Sequence, residues 1–223
     1  MHFPLPIEEK LPSKDLDNTE YGLSFSSTLW RVDYSLYYFN GFNDFPSYRM
    51  DQMFPPSKIE AQFLRGNMFG YDIEFVVGHW GIRVEGVYTT DLGYQRKEVL
   101  DFIEGNSYTN GLGIDRSFND NYLNVNVLYK KIFIDGDIEE EKDEITLIAN
   151  IEREFSYETK KIALFFIYNI VGKSIFLNGS ISMNILENLW IELFLGIFNG
   201  EGQDTLSKFI DNDSYLIEVK YHF

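Results

Sequence analysis

Cysteine is absent from this 223-residue chain, which excludes disulfides, thiolate metal sites and thiol redox chemistry. Histidine is nearly as scarce. Its three copies, His2, His79 and His222, are scattered, and no Gly-x-Ser-x-Gly elbow accompanies them, so a hydrolytic triad has no recognisable parts. Basic residues are few as well: 19 Lys and Arg stand against 35 Asp and Glu, for a net charge of −16. That balance repels phosphate backbones and argues against nucleic acid as a partner. No stretch approaches the eighteen or so apolar residues of a membrane-spanning helix, and Met1 to Glu9 has neither the basic start nor the apolar core of a signal peptide. The oxygen-rich cluster Asp204, Asp211, Asn212 and Asp213 lacks the spacing of a calcium loop and reads as a solvated link. Enzymatic activity, a metal and a cofactor are therefore not expected.

Aromatic and β-branched residues are abundant instead. Phe, Trp and Tyr make up 17% of the chain, with 20 Phe and 15 Tyr, a strand-favouring set. Their arrangement alternates with period two rather than 3.6. In Ser214 to Phe223, Tyr215, Ile217, Val219, Tyr221 and Phe223 share one side, and Glu218, Lys220 and His222 share the other. Leu189, Ile191, Leu193, Leu195 and Ile197 likewise oppose Trp190, Glu192, Phe194 and Phe198. The same alternation runs through Ser174 to Ile185, Glu144 to Glu154, Tyr122 to Phe133, Ile82 to Thr89 and Arg31 to Tyr38. An apolar face opposite a charged face is the pattern of a transmembrane β-strand, with lipid on one side and a wet lumen on the other. A soluble sandwich or ligand-binding barrel also alternates, with the apolar parity forming a dry core. At Arg65-Gly66 and at Arg116 a charge falls on the apolar parity, where a bulge, an interfacial position or a different register is expected.

About eleven strands emerge, including one long or broken segment from Ile59 to Val77. Short turns (Ser27 to Trp30, Gly78 to Trp80, Asn119 to Asn121, Tyr157 to Thr159, Glu187-Asn188) alternate with longer polar links (Gly41 to Lys58, Asp91 to Asn106, Asp135 to Asp143, Asn199 to Ser214). The fold class expected is all-β, an antiparallel up-and-down transmembrane β-barrel over residues 19–223, with residues 1–18 an external loop or non-barrel start. Single-chain bacterial barrels use even strand numbers. An odd count implies the carboxy-terminal part of a larger barrel, or a short relative.

The polar parity names the candidate lumen residues: Arg31, Asp33, Asp72, Glu74, Arg83, Glu85, Asp115, Lys130, Glu152, Lys161, Glu192, Glu218 and Lys220. Acids outnumber bases, which favours cations in a water-filled pore; salt-bridged ladders filling a narrow lumen are the other reading, with Arg83 and Glu85 as one such pair. The final strand, with Tyr215, Ile217, Val219, Tyr221 and the terminal Phe223, is the candidate assembly signal.

The elements Thr19-Glu20-Tyr21-Gly22-Leu23, Val32 through Phe42, Ile82-Arg83-Val84-Glu85-Gly86-Val87-Tyr88, Gly113-Ile114-Asp115-Arg116-Ser117-Phe118 and Leu123-Asn124-Val125-Asn126-Val127 occur in an order that resembles the second half of porin-like outer-membrane barrels of the alginate-export type. The resemblance implies a cell outer-membrane location, lipid and the barrel assembly machinery as partners, and a charged lumen passing small polar solutes or saccharides. It supplies no catalytic residue. An adhesive or structural barrel that binds through its loops is the remaining expectation within the same fold.

Overall fold

The computed structural model describes residues 5–52, 54–155, 159–201, 204 and 206–221. Fourteen strands are present among them: β1 (Ile7–Lys10), β2 (Tyr21–Leu29), β3 (Val32–Phe42), β4 (Ser47–Met50), β5 (Ile59–Gln62), β6 (Arg65–Val77), β7 (Trp80–Gln95), β8 (Phe102–Phe118), β9 (Asn121–Phe133), β10 (Asp143–Phe155), β11 (Lys160–Asn169), β12 (Ser174–Leu186), β13 (Leu189–Asn199) and β14 (Ser214–Tyr221). Eleven of them form one antiparallel sheet in the order β14-β13-β12-β11-β10-β9-β8-β7-β6-β3-β2. Every strand in it pairs with its neighbour along the chain, apart from the excursion between β3 and β6. This is an up-and-down meander. Among the described residues β2 and β14 are its two edges, with no hydrogen-bonded pairing between them.

The short turns lie at one end of the sheet, except the four-residue link between β11 and β12. The turn between β2 and β3 is Trp30-Arg31, with φ of 52° and 71° at its two residues; two successive positive φ values suit a tight hairpin between twisted strands. Gly78, with φ 63°, and Asn119, with φ 50°, bend the turns after β6 and β8. Arg31 thus sits in a turn rather than at the start of a strand, because the hairpin needs two residues outside the ladder. At the opposite end stand the longer links, together with the shorter one between β11 and β12.

The segment from Ile59 to Val77 is broken rather than continuous. β5 leaves the main sheet and joins β1 and β4 in a separate three-stranded sheet, parallel to β1 and antiparallel to β4. Residues 7–10 are therefore strand, outside the main sheet. Glu60 of β5 is buried and gathers Lys10 at 2.6 Å, Arg49 at 3.2 Å and Lys58 at 3.9 Å. Its carboxyl is held below the usual range, chiefly by the hydrogen bond from Lys10. The small sheet rests on β7 at Gly93, where an added Cβ would come within 1.9 Å of the Ser47 hydroxyl. Only glycine permits that approach.

β7 and β8 run past the ends expected for them. A bulge between Thr89 and Leu92, with Asp91 at φ 58°, interrupts their register. Beyond it Leu92 and Tyr94 fall on the parity that carried Thr89. There Tyr94, Ile132 and Ile138 make the hydrophobic core cluster, with Leu92, Ile103 and Ile134 packed on it. That core lies at the long-link end.

Candidate functional site

Cross-strand partners point to the same side of a sheet, so the register defines two faces. One row crosses ten strands through Leu29, Val32, Phe75, Ile82, Ile114, Val125, Ala149, Phe166, Leu177 and Ile197 without a polar residue. Toward the long links, Tyr38, Phe69, Tyr88 and Tyr108 occupy one register row, and Tyr21 and Phe133 lie beside it, in ring contact with Tyr38 and Tyr88. Charges on this face lie at strand ends. Arg116 stacks over Trp80 at 5.2 Å and Arg153 over Phe155 at 4.8 Å, both near the short turns. Arg65 begins β6, donates to the Asp17 and Thr19 carbonyls and to Asn40, and stacks on Phe42. The register is unbroken through Arg116, and Arg65 is the terminal pair of the ladder between β3 and β6, with the β7 bulge beside Gly66; both Arg65 and Arg116 are strand-end positions.

The other face carries the candidate lumen residues. Asp33 pairs in register with Glu74 and Glu74 with Arg83; Asp72 pairs with Glu85; Asp115 lies opposite Gly81 and Asn124. Lys130 lies opposite Glu144, Glu152 opposite Ala163 next to Lys161, Glu192 opposite Glu218, and Lys220 opposite Trp190. Twelve of the thirteen residues thus share one face, Arg31 being the exception. Glu144, Glu154, Phe165, Phe176, Phe194 and Phe198 share it too. Those Phe residues broke the polar pattern in sequence and so carried no signal.

Each strand cation of this set is engaged. Arg83 pairs with Glu74 at 3.2 Å, Lys130 with Glu140 at 2.8 Å, Lys161 with Glu152, and Lys220 with Glu192 at 3.1 Å and Glu218 at 3.0 Å. The pair expected between Arg83 and Glu85 is replaced by the one to Glu74. Residues directly opposite across a pair of strands lie closer than those two apart on one strand. On the acidic half of the face, Tyr37 donates to Asp72 and Thr28 to Asp33, while Asp33, Asp72, Glu85 and Asp115 take part in no salt bridge among the described residues.

Along β11 to β13 exposure runs opposite to that of a soluble sheet, whereas in β7 the polar Arg83 and Glu85 are exposed and Ile82 and Val84 half-buried. In β13 the apolar Leu193 and Leu195 are 43% and 54% exposed, whereas Glu192 and Phe194, which alternate with them, are half-buried. In β11 and β12 Ile162, Leu164, Ile181 and Met183 are exposed, and Ala163 and Ser182 are not. A curled sheet behaves this way when its polar residues crowd the concave side.

No protein-family model and no curated protein matches this chain. The alginate-export resemblance therefore remains one of residue pattern. Tyr215, Ile217, Val219 and Tyr221 all lie on the apolar face of β14 and are exposed; Phe223, His222 and His2 fall outside the described residues.

Proposed function

We propose that this chain forms wall of an outer-membrane β-barrel channel, with its polar face lining a lumen that passes small polar solutes or saccharides. The observation that carries the proposal is the uncovered apolar face: a row of apolar side chains crossing ten strands with no second layer packed on it among the described residues. Soluble monomers rarely leave contiguous apolar patches beyond a few hundred Å² in water, so such a face marks lipid or a partner. Tyrosines toward one end, and arginines with Trp and Phe toward the other, are the residues that favour the two membrane interfaces. A soluble sandwich puts its apolar parity in a dry core. The exposures of Leu193, Leu195 and Ile217 (64%) speak against that reading.

The lumen reading assigns the chain a modest preference for cations. The lumen lysines and Arg83 are already paired, which leaves Asp33, Asp72, Glu85 and Asp115 to set the field. A basic path for a polyanion is absent from the described polar face.

Native cell envelopes run on a gel without boiling, then after boiling, test the barrel. The expected result is a heat-dependent shift in the membrane fraction. A soluble species near 26.2 kDa with no shift refutes it.

A further inference from the structure

We propose that Phe165, Phe176, Phe198 and Phe209 form an aromatic track that binds the sugar rings of a neutral oligosaccharide near the long-link mouth. This rests on the reading that the polar face lines a lumen. The four rings make an unbroken series. Phe165 meets Phe176 edge-on at 6.2 Å, Phe176 stacks on Phe198 at 4.3 Å and 27°, and Phe198 meets Phe209 at 6.0 Å. The series climbs from β11 across β12 and β13 into the link that precedes β14. Ile167 and Ile148 extend the Phe176 row on the same face.

Three features fit a sugar better than other ligands. The rings are not sealed into a core: Phe165, Phe176 and Phe198 are half-buried and Phe209 is 45% exposed, so aromatic faces are within reach of a solute. Neutral polar groups stand beside them: Asn178 and Asn150 both lie opposite Phe165, and Ser180 lies opposite Phe194, while of the charged groups nearby Asp213 accepts from the Phe198 N–H, Glu152 accepts from Asn150, and Lys208 adjoins Phe209. Aromatic platforms for the C–H faces of a pyranose, flanked by amides and hydroxyls for its hydroxyl groups, are the two components of a carbohydrate site. Third, charge excludes the acidic sugars, because the nearby Lys161 is already paired with Glu152 and the far half of the face is acidic. Successive rings offer repeated weak contacts, which suits passage because a solute has to leave as well as enter.

The test uses the full chain folded in a zwitterionic, sugar-free detergent, with maltohexaose, cellohexaose and an oligogalacturonate of equal length as probes in equilibrium dialysis. Saturable binding of at least one neutral probe, but not of the galacturonate, is expected. Phe176→Ala and Phe198→Ala should each weaken it roughly five- to tenfold. Phe176→Tyr should retain it, and Phe69→Ala on the apolar face should leave it unchanged. The same preparations are run unheated and boiled on a gel. A heat-shifted protein that binds neither neutral sugar, or whose two Ala variants bind normally, overturns the track and leaves the barrel standing. Tighter competition by laurate than by sugar overturns it in favour of an apolar ligand. A protein that never shifts overturns the barrel, and the track with it.

Discussion

Leu193 lies midway along β13, between its flanking residues Ile191 and Leu195 on the apolar face, and faces Ile181 and Ile217 across the two neighbouring strands. Leu193→Arg places a permanent charge there. At the centre of the hydrocarbon an outward Arg costs a transmembrane barrel about 2–4 kcal/mol, falling to about 0–1 near the interface. Leu189 shares the face but sits at the strand's first position, beside the Glu187-Asn188 turn, so Leu189→Arg supplies the shallow comparison. Ser180→Arg supplies the opposite-face comparison, since Ser180 lies on the polar parity opposite Phe194. The central substitution should therefore shift the folding equilibrium in lipid vesicles by roughly 30- to 900-fold, with the other two each shifting it less than about tenfold. Reversible denaturant titration of vesicle-inserted protein reads all three. Equal costs for Leu193→Arg and Leu189→Arg, or a larger cost for Ser180→Arg, would refute the assignment of faces.

Lys161→Ala removes a partly exposed partner of Glu152; it should change stability by less than about 1 kcal/mol while raising cation selectivity, seen as a shift in reversal potential across a salt gradient. The small sheet should loosen in acid. Glu60, lowered chiefly by Lys10, and Asp51, lowered to about 2 by its bond from Ser57, contribute stability that is full above their ordinary values and lost as pH falls through the folded ones. Pepsin should therefore cut residues 43–64 increasingly between pH 4 and pH 2 while the main sheet resists, and Glu60→Gln should show enhanced cutting already at pH 4; uniform resistance would exclude this role.

Alternation alone was enough to locate most of the main sheet, because a one-residue slip would move every apolar side chain to the other face. Leu189 to Ile197 and Ile175 to Met183 have no competing register for that reason. The small sheet was not legible: β1, β4 and β5 are four residues each, too short for a period to stand out, and they are held by Glu60 and its cations rather than by an apolar face. The extension of β7 past Thr90 was hidden by its bulge, which transfers Leu92 and Tyr94 to the other parity. The candidate lumen charges were legible from parity, but their partners were not, since Arg83 with Glu74 depends on which strands are neighbours. The Phe track was the hardest to read. Its members interrupt the polar stripe singly, on three strands and a link, and only the register brings them together.

The meander has one further consequence, which follows from eleven being odd. β2 and β14 both run from the long-link end toward the short turns. Two such edges meet directly only as a parallel pair, with evenly spaced, slanted hydrogen bonds in place of the perpendicular ones found everywhere else in this sheet. Any wholly antiparallel ring instead interposes an odd number of further strands, alternating in direction. A closed circumference thus either contains a single seam of different bonding, the place where it opens most readily, or is larger than the arc these strands describe.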